Sequence, residues 1–200
     1  MRYTGKARYT GKMKYTGQTT YELEICGLKR TLPVIQVAPD LWIASFVILG
    51  DTQLVNACAG ALASRLSSYD FDVIVGPEAK AVPLLQALST LLGHQRYVVC
   101  RKSVKAYMQN PVRVEVESIT TKGTQALVLD GIDADRIKGK RVAVVDDVVS
   151  TGGSMVSVEA LMNKAGATIA CRAAILKEGS SYSGDLIYLQ DLPVLTTEAR

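Results

Sequence analysis

The sequence predicts an α/β domain: a central, mostly parallel sheet flanked by helices, with a small N-terminal β-hairpin or hood region and a basic N-terminal arm. Three observations carry this. Short apolar runs at Asp72–Gly76, Arg96–Cys100, Arg141–Val145 and Thr168–Leu176 lack the alternation of a strand with one wet face, so each reads as a strand buried on both sides. Other segments carry apolar residues at helical spacing. Strand and helix alternate along the chain, the order that builds a parallel sheet.

Residues 1–20 repeat a hexad, RYTGKA, RYTGKM, KYTGQT, with Tyr3, Tyr9 and Tyr15 on one face of an extended chain. They carry Arg2, Lys6, Arg8, Lys12 and Lys14 and no acid. So few charges on a short arm make a weak nucleic-acid site, and the arm is expected to lie outside the chemistry of a domain spanning 21–200. Tyr21, Leu23 and Ile25 then alternate with polar residues, and Cys26-Gly27 can turn the chain back into Arg30–Ile35 as a hairpin. Asp51 is an N-cap, and Val55, Cys58, Ala59, Leu62 and Leu66 fall on one face of the helix behind it. Leu84, Leu85, Leu88, Leu91 and Leu92 mark a second helix, stopped by Gly93. Val158, Leu161, Met162 and Ala165 mark another, ending at Gly166.

Composition excludes several function classes. The chain has 200 residues, 48 % of them apolar, enough for one domain with a full core. Net charge is +4, but beyond the arm 18 basic side chains face 19 acidic ones, so the body offers no general surface for polyanions. Cys26, Cys58, Cys100 and Cys171 lie far apart, without zinc spacing, as buried thiols do in a reducing cytosol. Met1 is followed by polar repeats and not by a leader's apolar core. The most apolar run, Leu41–Leu49, is shorter than the ~20 residues that span a bilayer. These features predict a soluble cytoplasmic protein.

The segment RVAVVDDVVSTGGSM, Arg141–Met155, runs a buried strand into two carboxylates and then into a loop of hydroxyls and glycines. In open α/β sheets ligands bind at the carboxyl ends of strands. Asp146 and Asp147 fall there, and strand alternation would turn them to opposite faces. Carboxylates at this rim suit vicinal hydroxyls or a divalent cation. Ser150, Thr151, Gly152, Gly153 and Ser154 offer backbone N–H groups and hydroxyls at a helix start, a cradle for phosphate. One ligand satisfies both halves: a ribose carrying a 5-phosphate. Neither a Walker loop nor a Rossmann fingerprint is present.

Val142–Ser154 closely resembles the 5-phosphoribosyl-1-pyrophosphate (PRPP) signature of the type I phosphoribosyltransferases. The likeness extends from about Tyr21 to Leu195 and follows the adenine and xanthine branch. VGPEAKAVPLL is similar to the family's pyrophosphate loop, with Glu78, Ala79, Lys80 and Ala81 at its tip. VVCRKSVKAY resembles the strand and mobile loop that carry an Arg-Lys pair.

The resemblance implies a Mg²⁺-dependent purine phosphoribosyltransferase of purine salvage, binding PRPP, a purine base and pyrophosphate, without membrane or nucleic-acid partners. Asp146 and Asp147 would hold the ribose hydroxyls, directly or through Mg²⁺ and water. Ser150 to Ser154 would hold the 5-phosphate. Glu78, Ala79, Lys80, Ala81, Arg101, Lys102 and Lys105 would serve pyrophosphate. Lys80 stands where the family usually has Arg, so the charge is kept and the bidentate fork is lost. Arg101 is often supplied across a dimer interface in relatives, which implies a homodimer. A mobile loop over roughly Ser103–Gln125 would close on the reaction.

Val149 and Lys177 are the implied base contacts. Hypoxanthine-guanine enzymes carry Asp at the position of Ser150, which argues against that branch. Adenine enzymes carry Leu-Glu-Tyr-Gly in the mobile loop, where this chain has Ser118–Gly123, without a carboxylate; Glu115 or Glu117 could substitute. Lys177 sits where 6-oxopurine enzymes place a Lys on the purine O6. Adenine is therefore the first reading and xanthine or another 6-oxopurine the alternative. A PRPP-sensing regulator without catalysis is the reading from a different class, although no DNA-binding pattern accompanies it.

Overall fold

The computed structural model describes residues 11–117 and 124–197. In chain order the elements are β1 (Lys12–Lys14), β2 (Thr20–Ile25), β3 (Leu28–Ala38), β4 (Leu41–Ala44), α1 (Thr52–Leu66), β5 (Val73–Pro77), α2 (Val82–Leu91), β6 (Tyr97–Cys100), β7 (Val112–Glu117), β8 (Thr124–Leu129), α3 (Gly131–Ile137), β9 (Arg141–Val149), α4 (Gly153–Lys164), β10 (Thr168–Glu178), β11 (Ile187–Leu192) and β12 (Val194–Thr196). The central sheet runs β11-β10-β9-β5-β6, parallel throughout. Alternation along β9 explains why its sequence is apolar without a break. Ala143 and Val145 join a core with Leu62 of α1 and Leu84 of α2. Val142 and Val144 join a second core with Ile137 of α3 and Leu161 of α4. Both faces of the sheet are therefore dry, as its sequence predicts.

A second sheet, in the order β1-β12-β4-β3-β2, forms the hood. Its hairpin turns where expected, at Cys26 and Gly27, both with positive φ, the conformation of a two-residue I′ turn. Leu23, Ile25 and Leu32 from this sheet enter the α1–α2 core. Arg30 ties the layers together. Its guanidinium donates to Asp51 from Nε at 2.6 Å and Nη2 at 3.0 Å. Asp51 accepts the Leu54 N–H at 3.0 Å and so caps α1. The Arg30 hydrogen bond holds the Asp51 carboxyl below its usual range.

Several expectations change in three dimensions. The arm does not stay apart as far as residue 20. β1 pairs in parallel with β12, Tyr15 N–H donates to Thr196 O at 2.8 Å, and the Tyr15 ring stacks on Trp42 at 3.9 Å and 11°. The slot beside β12 is filled by the chain's other end, a pairing that local pattern does not encode. Trp42 is thus half-covered by an aromatic and not packed in the core. Residues 1–10 lie outside the described residues.

The stretch expected as one mobile loop contains an antiparallel hairpin, β7–β8, joined to β6 by a bridge between Arg101 and Val128. Alternating Val and charged residues in Val112–Glu117 carry the strand signal. Ser118–Gly123 lies outside the described residues. Leu91 is 57 % exposed and does not join the buried face of α2.

Candidate active site

The loops after β5 and β9 and the end of β10 meet on one rim because parallel strands bring their carboxyl ends together. β9 does not stop before its acids. It stays paired with β10 through Val149, so Asp146 and Asp147 are strand residues, 7 % and 3 % exposed. Asp147 N–H donates to Asp146 Oδ1 at 2.8 Å. Burial, then the neighbouring Asp147 charge, push the Asp146 carboxyl well above its usual range.

The loop after β5 crosses to this pair. Lys80 Nζ lies 2.7 Å from Asp147 Oδ2, a charge contact without hydrogen-bond alignment. The lysine stem reaches across the gap between neighbouring strands β5 and β9, so the pyrophosphate-type loop and the acid pair form one site. Glu78 points the other way. Its carboxylate lies 2.6 Å from Arg101 Nε and accepts Lys102 N–H at 2.6 Å, while its own N–H donates to Cys100 O at 2.9 Å. Glu78 therefore braces the loop against the end of β6. Ala79 is exposed and Ala81 is buried at the start of α2. Lys105 turns locally, donating to Ser103 Oγ at 2.7 Å, and is not drawn to the acids.

The loop after β9 leads into a twelve-residue helix, α4. Thr151, Gly153 and Ser154 are exposed there, with N–H groups at the positive end of the helix dipole. Gly152 has φ +84° and an added Cβ would stand 2.2 Å from Tyr182 Cδ2. Only glycine fits, because the loop must take a left-handed turn while resting on an aromatic ring. Val149 is buried with Met155 and Tyr182.

Lys177 and Glu178 end β10. Successive strand residues point apart. Lys177 Nζ lies 5.7 Å from the Tyr188 ring centroid on β11. Glu178 turns into the site, 9 % exposed. Burial raises its carboxyl, while the nearby Ser150 hydroxyl and the charge of Lys80 partly oppose this. Sequence reasoning missed Glu178 and Tyr182. The signal for Glu178 was an acid two residues beyond Leu176, where the apolar run of β10 ends.

A cavity of about 640 Å³ lies elsewhere, lined by residues such as Val73, His94 and Arg96 at the amino ends of β5 and β6. It contains none of the carboxylates or the phosphate-type loop, so chemistry and not volume locates the active site. Among the described residues no three His, Cys, Asp or Glu side chains group as a metal cage.

The phosphoribosyl transferase domain family matches residues 48–190. The chain is 34 % identical over 134 residues to the hypoxanthine/guanine phosphoribosyltransferase of Methanothermococcus okinawensis, covering 67 % of this chain and 68 % of that protein. It is 31 % identical over 143 residues to the adenine phosphoribosyltransferase of Pseudothermotoga lettingae, covering 71 % and 75 %. In fold it is similar to the crystal structure of adenine phosphoribosyltransferase from Thermoanaerobacter pseudethanolicus, with TM-score 0.66, 24 % identity, and 80 % of this chain and 95 % of that chain covered. The matched region holds the acid pair, the glycine-bearing loop and the Lys80 loop, and with the type I fold around them the chain belongs to the phosphoribosyltransferase family, enzymes that transfer a pentosyl group.

Proposed function

We propose that this enzyme transfers the 5-phosphoribosyl group of PRPP to a purine base, adenine first, giving a nucleoside monophosphate and pyrophosphate in purine salvage. The observation that carries the reading is the convergence of Asp146, Asp147, Lys80 and the Ser150–Ser154 loop on one rim. In this reading the two acids accept hydrogen bonds from the ribose hydroxyls. The loop and the start of α4 hold the 5-phosphate. The Glu78–Ala81 loop with Lys80, Arg101, Lys102 and Lys105 receives pyrophosphate. As the C1–oxygen bond breaks, positive charge grows on the ribose ring beside the buried carboxylates and negative charge leaves toward the basic loop, the charge separation such a site stabilises. The base nitrogen bonds to C1 on the opposite face as the C1–pyrophosphate bond breaks, and its proton passes to solvent.

The donor set suits Mg²⁺, which keeps waters and takes one or two carboxylates together with substrate phosphates, without an all-protein cage. Asp146 and Asp147 would hold it, indirectly through ribose or water. When bound it neutralises charge on the pyrophosphate oxygens.

A 6-oxopurine such as xanthine is the second reading, because the resemblance puts Lys177 on the purine O6 and a lysine only donates hydrogen bonds; in the ligand-free fold β10 turns this lysine toward Tyr188 and away from the acids. Comparable relatives carry both adenine and hypoxanthine/guanine names. We place the enzyme in the cytoplasm as a homodimer. No helix among the described residues is long and apolar enough to cross a membrane.

Turnover of PRPP with adenine, hypoxanthine, guanine and xanthine tests the function, and activity on none refutes it. If the base is 6-oxo, Lys177→Ala costs that substrate ~1.5–3 kcal/mol; if it is adenine, the change is nearly silent. Asp146→Asn with Asp147→Asn should weaken PRPP by several kcal/mol, at ~1.5–3 per charged hydrogen bond, and unchanged affinity by calorimetry would refute the assignment of the acids.

A further inference from the structure

The cavity of about 640 Å³ at the amino ends of β5 and β6 stands apart from the acid pair. The 5 residues of β5, at ~3.3 Å each, put about 16 Å between it and the Lys80 loop, so one small ligand does not reach both. Its wall is rich in donors. Arg96 and Arg136 line it against a single acid, Asp133, and that acid already accepts from Arg136 Nη1 at 2.7 Å. Arg96 is exposed and has no ion-pair or hydrogen-bond partner among the described residues. An unpaired guanidinium offers a planar fork that matches a phosphate. Ser89 of α2 also lines the cavity. It is 3 % exposed, and its Oγ is buried without a hydrogen-bond partner among the described residues. A buried hydroxyl left unmet costs stability, and a ligand atom here would meet it.

The rest of the wall suits a flat organic body. Gln86 and Gln95 each bring a carbonyl and an amide N–H, the paired acceptor and donor that match the edge of a base. The Tyr97 ring adds apolar surface. His94 is fixed in place: its N–H donates to Ser89 O at 2.8 Å, and its ring stacks on Phe71 with centroids 5.3 Å apart. The volume falls in the range of about 300–1,000 Å³ that small-molecule sites occupy, far more than a bare phosphate fills.

We propose that this cavity is a second binding site, for a nucleoside monophosphate, with Arg96 on the phosphate, Ser89 donating to the ligand, and Gln86 and Gln95 on the base. The proposal stands apart from the transfer reading. β5, α2 and β6 run between this cavity and the rim where Lys80 and Arg101 lie, so a nucleotide bound here braces the far ends of the elements that carry those cations.

His94 is the only histidine of the chain, so its ring resonances report on this cavity by NMR. In the full chain adenosine 5′-monophosphate should shift them saturably, with inorganic phosphate and adenosine each about tenfold weaker or worse, because each brings only part of the contacts. Arg96→Ser should raise the Kd read at His94 about tenfold. Ser89→Ala should raise it about fivefold and leave the ligand-free Tm unchanged or higher, since it removes an unmet polar group. Asp146→Asn with Asp147→Asn alters the distant rim and should leave the Kd at His94 within about twofold. Signals that do not move show that nothing binds here and overturn the proposal. So does a response that disappears in the acid variant, which makes it a relay from the rim. Adenosine or inorganic phosphate as tight as the monophosphate overturns the ligand class, and Ser89→Ala with a lower Tm and an unchanged Kd overturns the role of the serine. A chain that turns over no purine yet keeps the response at His94 refutes the transfer reading and supports this one.

Discussion

Replacing Lys80 with Met tests how the acids are kept compatible with folding. Lys80 is the cation that faces all three buried carboxylates: it touches Asp147 at 2.7 Å, and its charge acts on both Asp146 and Glu178. The Asp147 side chain is 4 % exposed and the Lys80 side chain 44 %. Removing one partner of a fully buried pair costs about 3–5 kcal/mol because the other charge is stranded. Water reaches Lys80 here and already screens part of the interaction, so about 2–3 kcal/mol is the expected loss for Lys80→Met. For a chain of this size each kcal/mol moves Tm by about 2–4 °C, giving a fall of roughly 4–12 °C. Scanning calorimetry of the ligand-free protein measures it. The double variant Lys80→Met with Asp147→Asn should recover most of the loss, since a neutral amide leaves no stranded charge, and Lys80→Arg should lose little. A Lys80→Met protein whose Tm stays within about 1 °C would refute the reasoning; so would a double variant as unstable as the sum of the singles, because contacting residues must couple.

Three further outcomes follow from other parts of the fold. Tyr15→Ala should cost about 1–2 kcal/mol, an aromatic pair plus its burial, and should shift the emission of Trp42, the sole tryptophan; kcat/KM should stay within about threefold, under ~0.7 kcal/mol, and a hundredfold loss would show that this segment serves the chemistry. Gly152→Ala forces a Cβ onto Tyr182 at a left-handed φ, so ribose 5-phosphate affinity should fall at least tenfold, about 1.4 kcal/mol, and an unchanged Kd would remove this loop from the phosphate site. Ligand-free stability should rise as pH falls from 8 toward 4.5, because the carboxyls of Asp146 and Glu178 are raised in the folded state, so the native state binds more protons there than the unfolded chain. Calorimetry of Asp146→Asn across that range should show a flatter profile; an unchanged slope contradicts the assignment.

Much of this enzyme is legible in one dimension. The strand cores of β5, β6, β9 and β10, the N-cap of α1 and the turn at Cys26-Gly27 follow from periodicity and turn chemistry, which are local. The acid pair and the glycine loop were legible because they interrupt a buried strand with groups that need a ligand. Chain distance hid the rest. Lys80 and Asp147 lie far apart in sequence, and only the β5–β9 pairing sets them in contact. The hairpin β7–β8 was obscured by a reading of its segment as loop, although Val112–Glu117 alternates plainly.

By itself the sequence determined the α/β class, the order of the elements and the signature residues Asp146, Asp147 and Ser150–Ser154, because hydrophobic period, capping and turn residues act over a few positions. Only the tertiary structure decided that Gly11–Tyr15 is folded against β12, Gly179 and Trp42, that Lys80 touches Asp147, and that Glu178 lies buried near Lys80 and Asp147. Each of these is a meeting of strands remote in sequence, and the register of a parallel sheet is set by the packing of the whole core, which no single stretch of the chain contains.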